Sequence, residues 1–142
     1  HGGNKFALNT AGTKLKYELG LIPAVVDYWD LISPKEAESI LETKIWPGHA
    51  CEFETSMAFA MYPEVIRKEA IKKPEDFLTH LPAYHRFLVE YDIEYSKSGV
   101  KPGGDPTSAN KEKGEKLTNA VVNGLISFLK DFIRHEQTTY LK

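Results

Sequence analysis

The sequence predicts a layered α/β domain, and three observations carry that expectation. Apolar positions closed by Gly20 mark a helix from Asn4, and beyond Ser108 apolar residues recur every three or four positions, the period of helices. Between them, Leu21 to Leu31 and Val89 to Tyr95 carry the β-branched and alternating patterns of strands. A chain of 142 residues, 42% hydrophobic and 27% charged, has the composition of one globular domain and not of a disordered tail. Helix, strand and helix in succession argue for a mostly parallel central sheet covered by helices.

In order, the first helix has Phe6, Leu8, Leu15 and Leu19 as apolar positions and Gly20 as its terminating residue. Leu21 to Leu31 follows, with Val25 and Val26 and no polar alternation, as expected of a strand buried on both faces; Pro23 is tolerable only near its start. A second helix is predicted from Pro34 to Thr43, with Ser33 as N-cap, Pro34 in the first position and Glu36 in the third. Pro47 and Gly48 mark a turn, after which an apolar helix starts near Ala50 and closes at Pro63. Residues 64–82 read as irregular surface with a short helix. Val89, Tyr91, Ile93 and Tyr95 then alternate with Glu90, Asp92 and Glu94 in a half-exposed strand. Gly99 to Pro106 is a loop, and Thr107 or Ser108 caps a long amphipathic helix through Leu117, Val121, Leu125, Phe128, Leu129 and Phe132.

Several function classes are excluded early. A net charge of −2 gives no electrostatic case for nucleic acid or an anionic membrane surface. No apolar run approaches the roughly 18 to 20 residues that span a bilayer. Cys51 is the lone cysteine, so no intrachain disulfide forms, and a reducing cytoplasm is the expected compartment. There is no Cys pair or His-Glu-x-x-His for a self-contained zinc site, no Walker loop at Gly103–Pro106, and no Gly-x-Ser-x-Gly elbow.

The densest chemistry lies between Trp46 and Ser56. His49, Cys51, Glu52 and Glu54 open a segment that turns apolar at Met57, Phe59 and Met61. Two carboxylates at the head of such a helix are costly unless paired or bound, although the helix dipole offsets part of that cost. His49 is open to two readings, a structural turn histidine or an acid/base group facing a substrate. Cys51 reads as a small buried residue before it reads as a nucleophile. Trp29 and Trp46 are core residues or pocket walls. At the other end, His1-Gly2-Gly3-Asn4 opens a helix with two glycines that permit close backbone approach to a ligand. The histidine ahead of them is placed as a metal ligand or an acid/base, or else the stretch is a terminal remnant.

Three of these pieces, in this order, resemble the creatininase (creatinine amidohydrolase) family. They are His1 to Asn4, the Gly-His-Ala-Gly-Glu-x-Glu-Thr-Ser pattern at Gly48 to Ser56 with Cys51 in place of a glycine, and the Gly-Asp-Pro run at Gly104 to Gly114. Asp27-Tyr28-Trp29 resembles the end of a family strand. The resemblance covers essentially the whole chain and implies a three-layer creatininase-like fold, of which residues 1–142 are the C-terminal portion of a single domain and the N-terminal half is absent.

The resemblance also implies a hydrolase with two divalent ions, Zn, Mn or Fe. His1 maps onto a metal-binding histidine, and Glu52 takes the ligand role that Gly3 does not offer. His49 becomes the acid/base group, Glu54 a supporting carboxylate, and Trp29 and Trp46 walls of the pocket. The remaining ligands are expected in the N-terminal half, as a partner chain or in the uncut protein. The expected reaction is hydrolysis of a C–N bond in a small cyclic amide or formamide, in a homo-oligomer that is a hexamer by resemblance. Family members that act on peptides or keto-sugars make those the alternative substrates, and a non-catalytic fragment serving assembly is the alternative from another class.

Overall fold

The structure is a computed structural model that describes residues 1–43, 48–73 and 105–139. Four α-helices occur among the described residues: α1 (Asn4–Leu19), α2 (Pro34–Ile40), α3 (Glu52–Met61) and α4 (Lys111–Thr139). Single 3-10 turns lie at Tyr28–Leu31, Pro63–Val65, Lys68–Ala70 and Pro106–Ser108. The chain divides into two compact units, His1–Ile32 with Val121–Lys142 and Ser33–Ala120.

The expected parallel sheet is not there: among the described residues no strand occurs, and this part of the fold is helical. The segment from Leu21 has no regular secondary structure, ends in the 3-10 turn at Tyr28, and leaves Leu21 52% and Val26 38% exposed. A strand exists through hydrogen bonds to a neighbour. Here no strand among the described residues supplies them, so β-branched composition alone does not make one. Pro23 is turned to helix packing instead, since a methyl group built on Gly12 would stand 3.2 Å from its ring. The other expected strand, Val89 to Tyr95, lies outside the described residues.

Local signals fared better. Gly20 terminates α1 in the left-handed region (φ 66), where it costs a glycine nothing, and its N–H reaches the Lys16 carbonyl at 3.1 Å. Ser33 caps α2 by accepting from Glu36 N at 3.2 Å, with Pro34 behind it. That helix ends at Ile40, short of Thr43. The cap of α4 is Asn110, whose Oδ1 accepts from Lys113 N at 3.0 Å, two residues past Ser108.

The first unit packs thinly. Gly12 is the one buried residue of α1, and the apolar positions that marked the helix are exposed, Phe6 at 69% and Leu19 at 64%. In the second unit Ala37, Leu41, Cys51, Phe53, Met57, Leu117 and Ala120 are buried together with two polar residues, Glu52 and Ser56. Gly114 is what lets α4 approach α3. A Cβ there would lie 1.9 Å from the Ser56 carbonyl oxygen and 2.9 Å from the Ala60 side chain.

Candidate functional site

His49 sits in a turn before α3, not within it, because the helix begins only at Glu52. His49 and Glu52 therefore do not share a helical face. The turn is built by an unusual backbone: Ala50 takes a positive φ of 45°, a region that costs a residue with a Cβ about 1 to 2 kcal/mol. What holds it is Glu54, whose Oε2 accepts from Ala50 N at 2.8 Å. Glu54 thus braces the His49 turn from the first turn of α3, and both side chains are half-buried.

Cys51 follows at φ −78°, an extended conformation open to any residue, so replacing the glycine of the family pattern carries no backbone penalty. Its side chain is fully buried. Burial pushes the thiol up, against backbone hydrogen bonds of Glu54, Gly48 and Phe53 that pull it down. A thiol held protonated in this way is a core residue, not a nucleophile.

Glu52 points away from the His49 turn, into a buried network. Its Oε2 accepts from Thr43 N at 2.8 Å, Thr43 Oγ1 at 2.9 Å and Glu42 N at 3.0 Å. Its Oε1 accepts from Glu42 N at 3.1 Å and from the Lys113 ammonium at 2.5 Å. Lys113 also donates to Glu42 Oε1 at 2.7 Å and to the Ser108 carbonyl at 2.8 Å, which uses all three of its N–H groups. Burial pushes the Glu52 carboxyl up, but Lys113 and the donors of Thr43 and Glu42 outweigh it and hold the group below the usual carboxylate range. For Lys113 burial lowers the ammonium and the two glutamates more than restore it, leaving it raised. Next to this network, Ser56 Oγ accepts from Asn110 N at 3.3 Å.

In the first unit, His1-Gly2-Gly3-Asn4 forms a turn on which α1 starts. Asn4 N donates to the His1 carbonyl at 2.9 Å, and His1 Nδ1 accepts from Gly3 N at 3.1 Å. Trp29 lies beside it, 3.8 Å from where a Cβ on Gly2 would stand, and its ring meets Tyr28 edge-on at 4.9 Å. Lys5 ties the turn to the same segment through Asp27 at 2.8 Å and Asp30 at 3.5 Å. A groove of about 350 Å³ lined by Asn9, Gly12, Thr13, Lys16, Ile22 and Pro23 includes none of the candidate residues.

The structure thus brings His1 and Trp29 into one neighbourhood, and His49 with Glu54 into another. Glu52 and His1 belong to different units. Trp46 lies outside the described residues. Among the described residues no three His, Cys, Asp or Glu side chains sit together to hold a metal ion. Sequence reasoning passed over Lys113, which sits in a run of charges; the available signal was its register, four residues before buried Leu117 and next to buried Gly114.

The family model described as creatinine amidohydrolase matches residues 1–129. The chain belongs to the creatininase family. No curated protein and no solved structure gives a significant match. Creatininase membership points to hydrolase chemistry on amide-type C–N bonds. Two of the family-like pieces meet in the second unit, because the Glu-x-Glu-Thr-Ser segment contacts the late run through Glu52–Lys113 and through Ser56 with Asn110 and Gly114. No helix among the described residues is long and apolar enough to cross a membrane.

Proposed function

We propose that this chain is the C-terminal portion, of the His-Gly-Gly-Asn type, of an amidohydrolase that cleaves a C–N bond in a small cyclic amide or formamide, with His49 as its acid/base group. The observation that carries this reading is the His49 turn itself, in a creatininase-family chain. A half-buried imidazole stands on a left-handed kink at Ala50 that Glu54 holds in place. Backbone strain of this kind collects at functional sites and persists only where neighbours enforce it.

Amide hydrolysis adds water to the carbonyl carbon, breaks the C–N bond and delivers a proton to the departing nitrogen. In this reading His49 takes a proton from the attacking water and passes one to that nitrogen, so that its own charge is restored at the end of the cycle. Glu54 keeps the turn, and so the ring, in register. Trp29 and Trp46 serve as apolar walls for the substrate.

Two divalent ions, Zn, Mn or Fe, are part of the proposal on the strength of the resemblance. The described residues do not assemble a donor set for them, so most of their ligands are assigned to an N-terminal half of the same protein. His1 is the one donor proposed from this chain. Exposed apolar side chains on α1, such as Phe6 and Leu19, support a further protein surface covering that helix. A homo-oligomer, hexameric by resemblance, in the cytoplasm completes the proposal.

The test is turnover of the full-length protein on a panel of cyclic amides and formamides, before and after His49→Ala. The expected result is a loss of about 10²- to 10⁴-fold in kcat, the contribution of one positioned acid/base group, with unfolding unchanged. Unchanged turnover in the variant would overturn the role given to His49, and no hydrolysis of any panel member by the wild type would support the non-catalytic reading instead.

A further inference from the structure

We infer that Glu52 is a positioning residue and not a metal ligand: with Lys113 and Thr43 it forms a latch that ties Thr43 to the start of α3, on either side of His49 in the sequence. The activity arm of this inference rests on the proposed role of His49, whereas its metal and stability arms stand independently.

The saturation of the carboxylate comes first. A carboxylate offers about four lone-pair directions, and four donor groups already occupy those of Glu52: Glu42 N, Thr43 N, Thr43 Oγ1 and Lys113 Nζ. The side chain has no exposed surface, so an ion would have to displace these donors to reach an oxygen. Lys113 makes that worse, because its ammonium touches Oε1 and repels a divalent cation at any ligating distance. Its three N–H groups are all engaged, and among the described residues no buried side-chain polar atom lacks a partner. A network satisfied at every member is rigid.

The connectivity says what the rigidity is for. Glu52 opens α3 and Thr43 follows α2, and the 2.8 Å bond from Thr43 N to Glu52 Oε2 joins residues nine positions apart. His49 lies between them, three residues before Glu52. Tying two residues of a chain together removes much of the freedom of the residues between them. Lys113 then pins this tie to the first turns of α4, whose approach to α3 depends on Gly114. In this way the latch sets where His49 stands.

The experiment compares Glu52→Gln, Lys113→Met and the double variant in the full-length protein by metal content, zinc affinity against a chelator, kcat with KM, and urea unfolding. The latch predicts unchanged metal stoichiometry in both single variants and zinc affinity within about threefold, where loss of even an outer-shell partner of a ligand costs about 10- to 100-fold. It predicts that both lower kcat, by about 100-fold if the ring is displaced by an ångström. Lys113→Arg should restore part of the loss, as a merely structural cavity would not. The double variant should be more stable than the two single losses predict when added, as directly coupled groups are.

The inference is overturned if Glu52→Gln loses a metal equivalent while Lys113→Met keeps it, or if the two losses of stability simply add. Should Glu52→Gln fail to fold, Thr43→Val removes a single donor from the latch and must lower kcat without changing metal content. A wild-type protein without hydrolase activity would sink the proposed function, and the unfolding cycle would still decide on the latch.

Discussion

Each unit of this chain contains a lysine held between two carboxylates, and the two clusters behave differently for physical reasons. In the first unit Lys5 bridges Asp27 and Asp30, with side-chain exposures of 46%, 14% and 58%. In the second, Lys113 bridges Glu52 and Glu42, and the Glu52 side chain is not exposed at all. Water screens the first cluster, so its ion pairs add little to stability. In the second, Glu42 is 69% exposed but the Lys113–Glu52 pair is largely shielded from water, and Glu52 relies on backbone N–H groups from Glu42 and Thr43 to complete its bonding. Identical charge composition therefore gives a surface tether in one place and a structural commitment in the other.

The largest effect is expected where α4 seats on α3. Replacing an exposed helical glycine with alanine ordinarily stabilises by about 0.5 to 1 kcal/mol. Gly114→Ala should do the reverse, because its Cβ meets backbone atoms of Ser56 that have no side-chain freedom to give way. A destabilisation of about 3 kcal/mol or more is expected from such overpacking, read as a lowered urea midpoint. The second unit should lose its latch with it, since Lys113 is the adjacent residue. A neutral or stabilising Gly114→Ala would show that the close approach is not required.

A smaller effect should separate the two clusters by pH. Glu52 is held below its reference value of 4.5, so its contribution is complete above that pH and is lost as pH falls through the lower folded value. Lys113 is raised above 10.5, so its contribution is complete below that pH and is lost only as the medium becomes more alkaline than the folded value. The latch is intact across the neutral range and fails on the acid side first. Urea midpoints measured from neutral pH down to 3 should fall through the carboxylate range, and Glu52→Gln should flatten that fall. An equally steep fall in the variant would assign the acid sensitivity to other carboxylates.

What the sequence made legible was local. Ser33, Pro34 and Glu36 marked the start of α2, and Gly20 the end of α1, because caps and terminators act within one turn of backbone. The expectation of a sheet over-read the sequence, since Val25 and Val26 record a preference for extended backbone and say nothing of a pairing neighbour. For the site, the cost of burying Glu52 was visible in the apolar residues around it, but its partner lies 61 positions away in a helix that looks solvent-exposed by charge alone. Metal ligation and ion pairing both answer the same electrostatic need, and only packing distinguishes them. Ala50 is a third case: alanine has no sequence preference for positive φ, so the kink under His49 could not be read from its identity.

The smallest effect belongs to the exposed cluster and completes the comparison. The Asp27 contacts, through the hydrogen bond first and its charge second, raise the Lys5 ammonium above 10.5, yet that group is solvated and its pairing competes with water. Lys5→Met should leave the urea midpoint within experimental scatter, because the methionine keeps the aliphatic stem and removes only a screened charge. Raising the salt concentration should likewise change the first cluster's contribution and spare the buried one. If Lys5→Met instead destabilised the protein as much as Lys113→Met, exposure would not be what distinguishes the clusters. The tether between the His1 turn and Asp27 would then be as much a part of the fold as the latch beneath His49.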